Sequence, residues 1–191
     1  MEEKKYRDDL LTQIKDSFGK VVYSYTTHWK QQNIYSKHSR YLKIAEIVLS
    51  SISTTGLVSF LISKQCWVAL IGTFFSALSL ALTLYTKDTR YGELIAAHRV
   101  SADDLWLLRE KYISLMTDFE SLEISEIVRK RDDLEKNASR IYKAAIPVTP
   151  AAYKEAQKAL KEEEEQYFSE AELDQMLPPH LRKLENKGSE K

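Results

Sequence analysis

Hydroxyl side chains recur at helical spacing inside the two most apolar stretches of this sequence. Small residues and hydroxyls at such spacing let two membrane helices approach closely and bond across their contact. If several copies surround a central axis, the same hydroxyls can instead offer ions polar partners in place of water. The candidate pore-lining residues are Ser51, Thr55, Ser59 and Ser63 in the first stretch, and Gly72, Ser76, Ser79 and Thr83 in the second.

Both stretches have the length and composition of membrane spans. Residues 44–63 and 66–85 are separated only by Lys64 and Gln65. At about 1.5 Å per residue, each stretch is about 30 Å long, which matches the hydrocarbon thickness of a bilayer. We therefore predict a hairpin of two membrane helices over residues 44–85. The alternative, a hairpin in a soluble core, would require the charged remainder of the chain to cover both helices.

Glu46 is the only acidic residue in the predicted hairpin and lies near its beginning. In an oligomer, a ring of these carboxylates at the pore mouth would favour cations, and we expect the hydroxyls of the first span to face the lumen. A simpler interpretation also stands, in which Glu46 is an interfacial residue paired with Arg40 or Lys43.

Basic residues flank the hairpin on both sides, whereas the turn carries only Lys64. The basic flanking residues are Lys30, Lys37, His38, Arg40 and Lys43 before the hairpin, and Lys87, Arg90 and Arg99 after it. Basic residues favour the cytoplasmic side of a membrane. We therefore expect a multi-pass protein of the inner membrane with both termini in the cytoplasm. Since residues 1–40 contain no apolar segment, the hairpin is the first insertion signal.

The remaining sequence carries charge but no recognisable chemistry. The whole chain of 191 residues includes 28 Lys and Arg against 28 Asp and Glu, and this balance argues against direct binding of nucleic acid. No catalytic motif is present, and the four histidines lack metal-ligand spacing. His98 is typical of a packed or hydrogen-bonded histidine, and Cys66 of an inert small apolar residue. We expect no enzymatic activity, no metal and no cofactor.

Scarce Gly and Pro, together with apolar residues at helical spacing, predict an all-α fold in which the membrane hairpin joins a cytoplasmic helical bundle. Residues 1–43 form an amphipathic helix, which packs on other cytoplasmic helices or lies on the membrane surface. Past Tyr85 we expect the helix to continue without a break until about Asp118. A second helix over 123–144 then completes a cytoplasmic pair within residues 86–146.

Residues 147–191 are expected to form C-terminal helices and a charged tail. Thr149 is a suitable N-cap for a helix that begins at Pro150 and extends to about Gln166. Ser169 and Glu172 have the spacing of a capping box for a further short helix. From Lys183 onward we expect disorder.

Three segments carry a resemblance to a known family: AHRVSADDLWLLREKY (97–112), RKRDDLEKNASRIYKAAIPVTPAAY (129–153) and AQKALKEEEEQYFSEAELDQMLP (156–178). With the hairpin, they resemble the SLATT family of two-transmembrane effectors of bacterial conflict systems, in its subfamily with extended C-terminal cytoplasmic helices. The resemblance implies a homo-oligomeric pore that kills or arrests an infected cell. It also implies a trigger from a neighbouring gene, either a cytoplasmic sensor protein or a nucleotide second messenger.

On that basis, polar residues after the second span become candidates for gating or inter-helix contacts. They are His98, Arg99, Asp103, Arg109 and Glu110. The alternative is that they form ordinary surface and inter-helix ion pairs, because Arg99 and Asp103 have the i,i+4 spacing of such a pair. An alternative function for the chain is a non-conducting, membrane-anchored scaffold for a cytoplasmic partner.

Overall fold

The chain begins with one long continuous helix. The computed structural model describes residues 2–178 and 181–182, and in it α1 extends over Glu2–Ser63. At about 1.5 Å per residue, its 62 residues span about 93 Å. The charged N-terminal segment and the first apolar stretch are therefore parts of one helix.

The predicted hairpin is confirmed. Lys64 has a φ of 52°, which reverses the chain, and α2 then runs from Cys66 to Thr89 beside α1. Both α1 and the α2 region are long and apolar enough to cross a membrane by length and composition. Only 6% of the most apolar 18-residue window of either helix is buried. A hairpin in a soluble core would be mostly buried, so the soluble alternative does not fit this fold.

The predicted uninterrupted helix after Tyr85 is wrong. α2 ends at Thr89, and α3 spans Tyr91–Thr117. Between them Arg90 has φ 48° and ψ 44°, the left-handed conformation that interrupts helical hydrogen bonding. This break has no local signal, because a left-handed residue is most often glycine and the nearby Gly92 lies inside α3 instead.

The predicted break after α3 is confirmed. A 3₁₀ turn over Phe119–Ser121 leads into α4, which spans Ile124–Ala144. Arg7 fixes this connection to α1, because its guanidinium donates hydrogen bonds to the carbonyl oxygens of Phe119 (2.8 Å) and Leu122 (3.1 Å). The core between α1, α3 and α4 consists of Leu10, Ile14, Val21, Leu105, Leu108, Tyr112, Leu115, Phe119, Ile127, Leu134, Ala138 and Ile141. The all-α prediction of a hairpin with a helical bundle is thus confirmed.

The C-terminal helices differ from the prediction in one boundary. α5 spans Pro150–Lys161 and so ends before Gln166, since four consecutive glutamates (162–165) would place negative charge at the helix C-terminus. The Thr149 cap is confirmed, with its hydroxyl accepting the Ala152 N–H at 3.3 Å.

The capping box of α6, which spans Glu170–Met176, is also confirmed. The chain divides after Ala156 into two compact units. The tail expected to be disordered from Lys183 onward lies outside the described residues.

Candidate functional site

The two apolar helices meet at a pair of glycines. A Cβ atom added to Gly56 would lie 2.9 Å from the Cα of Gly72, closer than real Cβ atoms come to any neighbour. A Cβ added to Gly72 would lie 3.3 Å from the carbonyl oxygen of Ser53. The backbones therefore approach each other as closely as glycine alone permits, which is the packing that small residues allow between membrane helices.

Polar side chains extend this contact, which we call the hairpin seam, toward the bundle. The hydroxyl oxygens of Ser50 and Ser79 lie 3.0 Å apart across it. Further along, the Thr83 hydroxyl donates a hydrogen bond to the carboxylate of Glu46. Three candidates from the second span, Gly72, Ser79 and Thr83, therefore lie at the seam, whereas Ser76 takes no part in these contacts.

The candidates of the first span lie beside the seam. Ser51 and Thr55 are exposed, and their hydroxyls donate to carbonyl oxygens of α1 itself, at 2.7 Å for Ser51 and 2.9 Å for Thr55. Together with the half-buried Ser59, they line an open groove of about 610 Å³ that is closed on its other side by Val68 and Ile71. The side chain of Ser63 lies outside the described part of the chain.

Large apolar side chains make up much of the remaining surface of the hairpin. Large exposed residues include Ile47, Leu57, Leu61, Ile62, Trp67, Leu70, Phe74, Leu80 and Leu84. Contiguous apolar surface of this kind indicates contact with a membrane or another protein. The groove therefore places the hydroxyls of Ser51, Thr55 and Ser59 beside apolar side chains such as Val68 and Ile71, on a surface that otherwise suits lipid.

A buried histidine pair joins α1 to α3 below the hairpin. His98 is fully buried, and its Nδ1 lies 2.9 Å from the Nδ1 of His28. This confirms that His98 is a packed, hydrogen-bonded histidine. Burial lowers the pKa of both rings, and repulsion from His28 helps to lower the pKa of His98 to about 4. Both histidines are therefore neutral at neutral pH.

The other gating candidates do not join this pair. Arg99 and Asp103 form a 3.7 Å ion pair whose side chains are 67% and 63% exposed. Arg109 lies over the Trp106 ring, 4.7 Å from its centroid, and pairs with Glu110. The five residues therefore form three separate features along α3 rather than one cluster.

Sequence reasoning missed two buried polar residues of α1. His28 lies 70 positions from its partner. Gln31 is fully buried, and its side-chain oxygen accepts hydrogen bonds from the N–H and the hydroxyl of Thr149, both at 2.7 Å. One signal was available for His28: it follows Val21 by seven residues, the spacing at which the core stripe of α1 continues.

Two helices of spanning length, a small-residue seam between them and a helical bundle are the features of an all-helical membrane protein with two candidate spans. The chain belongs to the SMODS and SLOG-associating 2TM effector domain family 4, whose sequence model matches residues 10–172. This confirms the resemblance to the SLATT family. Neither the curated proteins nor the solved structures provide a match. The family and the two candidate spans together indicate a membrane location.

Proposed function

We propose that this protein is a conflict-system effector that oligomerises in the inner bacterial membrane into a pore. The family supports the effector role, because its members are described as two-transmembrane effector domains. The proposed oligomer is made of copies of this chain, with both termini in the cytoplasm and the Lys64 turn outside. The basic residues that flank the hairpin support this orientation.

The observation that carries the proposal is the unequal use of the two polar stripes. The second span contributes Gly72, Ser79 and Thr83 to the hairpin seam. The first span keeps Ser51 and Thr55 exposed beside an open groove. Copies arranged around an axis would direct these hydroxyls inward and the apolar side chains toward lipid.

In this proposal the bundle receives the trigger and the hairpin conducts. The continuity of α1 supports it, because the same helix packs on α3 in the bundle and on α2 in the hairpin. A cytoplasmic sensor protein or a nucleotide messenger would bias the bundle between two arrangements. The His28–His98 contact and the ion pairs of α3 are the candidate contacts that differ between them.

Induced expression tests the proposal. Cells whose growth is arrested by the chain should lose membrane potential, and the purified chain should conduct in planar bilayers. Ser51→Leu combined with Thr55→Leu should suppress both effects, since Leu removes the polar lining.

Thr73→Leu is the matched control, because Thr73 is also an exposed hydroxyl bonded to its own helix, at a similar distance from the turn. Arrest with intact membrane potential would contradict the pore. Retained activity after exchange of the whole hairpin for an unrelated one would instead favour a non-conducting scaffold.

A further inference from the structure

A polar groove of about 1040 Å³ lies between α3 and α4 at the surface of the bundle. Leu115 and Leu134, which are 4% and 7% exposed, form an apolar floor. The walls are dominated by cations: Lys111 comes from the end of α3, whereas Lys130, Lys136, Arg140 and Lys143 come from α4. Asp118 and Asp133 also line the groove. Its size is that of a small-molecule site.

Four of the five cations of this groove, all except Lys130, differ from the other basic residues of the same two helices. Five of the basic residues of α3 and α4 pair with carboxylates: Arg99, Arg109, Arg129, Lys130 and Arg131. The other basic residues of these helices, which have no carboxylate partner among the described residues, are Lys111, Lys136, Arg140 and Lys143, and all four line the groove. The only polar contact of Arg140 in this part of the chain is with the Asn137 side chain at 3.4 Å.

We infer that this groove binds a phosphate-bearing anion of nucleotide size. Arg and Lys donate charge-assisted hydrogen bonds to phosphate oxygens, and the planar Arg140 guanidinium suits bidentate contact. The apolar floor would accommodate a base, and Asp118 and Asp133 would accept hydrogen bonds from its amino group or from a ribose hydroxyl.

The spacing of the cations supports a bound anion. Lys136, Arg140 and Lys143 follow one another at four- and three-residue steps, so they share one face of α4. Like charges at this spacing repel each other, and an anion between them would relieve that repulsion. Since Lys111 faces them from α3, the anion would also connect the two helices.

The trigger would act at this groove. That role of the groove rests on the proposed function. Binding itself does not depend on a pore. Two sources could supply the phosphate, a free nucleotide or the headgroup of an anionic lipid. The apolar floor and the two carboxylates favour the nucleotide.

Calorimetric titration of the full chain in neutral detergent, at about 0.15 M ionic strength to screen weak surface charges, tests this inference. The probes are ATP, inorganic triphosphate and a short-chain phosphatidylglycerol. We expect saturable binding of ATP at one site per chain. Lys136→Gln combined with Arg140→Gln should weaken it by about tenfold or more.

Lys20→Gln combined with Arg129→Gln is the control, because it removes two exposed cations that already have carboxylate partners. The control should leave the affinity for ATP within about twofold of the original. Equal losses in both variants would overturn the site. So would the absence of ATP binding, or displacement of ATP by phosphatidylglycerol at equal concentration. If ATP binds but the purified chain does not conduct in planar bilayers, the pore is rejected and the proposed binding site stands.

Discussion

The long helix α1 packs against two partners by opposite means. Against α2 it presents glycine and hydroxyls, so that Gly56 meets Gly72 and Ser50 meets Ser79. Against α3 and α4 it presents Leu10, Ile14 and Val21, which are almost completely buried. We call this second contact the bundle seam.

The difference follows from the solvent around each seam. In lipid, burying a leucine brings no hydrophobic gain, so helices associate through close packing and hydrogen bonds between small residues. In water, burial of large apolar side chains is the dominant stabilising term. The size of the side chains on α1 therefore reports which solvent surrounds each segment, and the predictions below test that correspondence.

The strongest test removes a large side chain from the bundle seam. Leu105 is completely buried in the core, so Leu105→Ala should lower the free energy of unfolding by about 2–5 kcal/mol. Leu107→Ala on the same helix is the control, because Leu107 is 61% exposed. Its effect should remain within about 0.5 kcal/mol. Unfolding monitored by circular dichroism in detergent measures both, and similar losses would refute the assignment of the core.

The second test adds one methyl group to a glycine of α1 that contacts α2, Gly56, and to one that makes no such contact, Gly19. Gly56→Ala forces a Cβ against the backbone of α2, so it should cost about 1–3 kcal/mol. Gly19→Ala meets no atom within 4 Å and should stabilise the helix by about 0.5–1 kcal/mol. Thermal unfolding in detergent measures the two shifts. Shifts of the same sign would contradict the hairpin seam.

The third test uses pH and acts on the bundle seam. The pKa of His98 is lowered from 6.5 to about 4, so the unfolded chain binds a proton first as the pH falls below 6.5. Stability is therefore complete above pH 6.5 and is lost as the pH falls toward 4. At pH 5.5 the loss should be about 1 kcal/mol. His28→Asn combined with His98→Asn should flatten the dependence of the melting temperature between pH 7 and 5.5; an unchanged slope would exclude the pair as its source.

The weakest effect is expected at the surface of α3. Asp103→Asn breaks the exposed ion pair with Arg99 and should change the free energy of unfolding by less than about 0.5 kcal/mol. Growth arrest on expression should be unchanged if this is only a surface pair. Loss of arrest without loss of stability would instead identify Arg99 and Asp103 as gating residues.

Local periodicity was enough to predict much of the fold. The apolar spans, the turn at Lys64 and the capped start of α5 all depend on residues close together in the sequence. The prediction of a continuous helix past Tyr85 failed because the left-handed residue is Arg90 rather than a glycine, so no local pattern marks the break. The prediction for the end of α5 failed for a different reason: it extended the helix through the four glutamates at 162–165, whose charge opposes the helix dipole at a C-terminus.

Contacts in the candidate sites were harder to predict than helices. The hydroxyl stripes were visible in the sequence, but which stripe packs and which remains open depends on the rotation of each helix about its axis. The His28–His98 contact joins residues 70 positions apart. Similarly, the basic groove is distinguished by lysines and an arginine that lack carboxylate partners among the described residues, and the sequence does not show which basic residues are paired.

The unbroken course of α1 has a mechanical consequence. Residues 2–43 of this helix form an arm about 63 Å long that extends from the predicted start of the span. A tilt of about 5° within the bilayer would sweep the far tip of this arm through about 6 Å, if the helix stays straight at about 1.5 Å per residue. A small tilt of the candidate span is thus amplified into a larger displacement at the N-terminal end of α1.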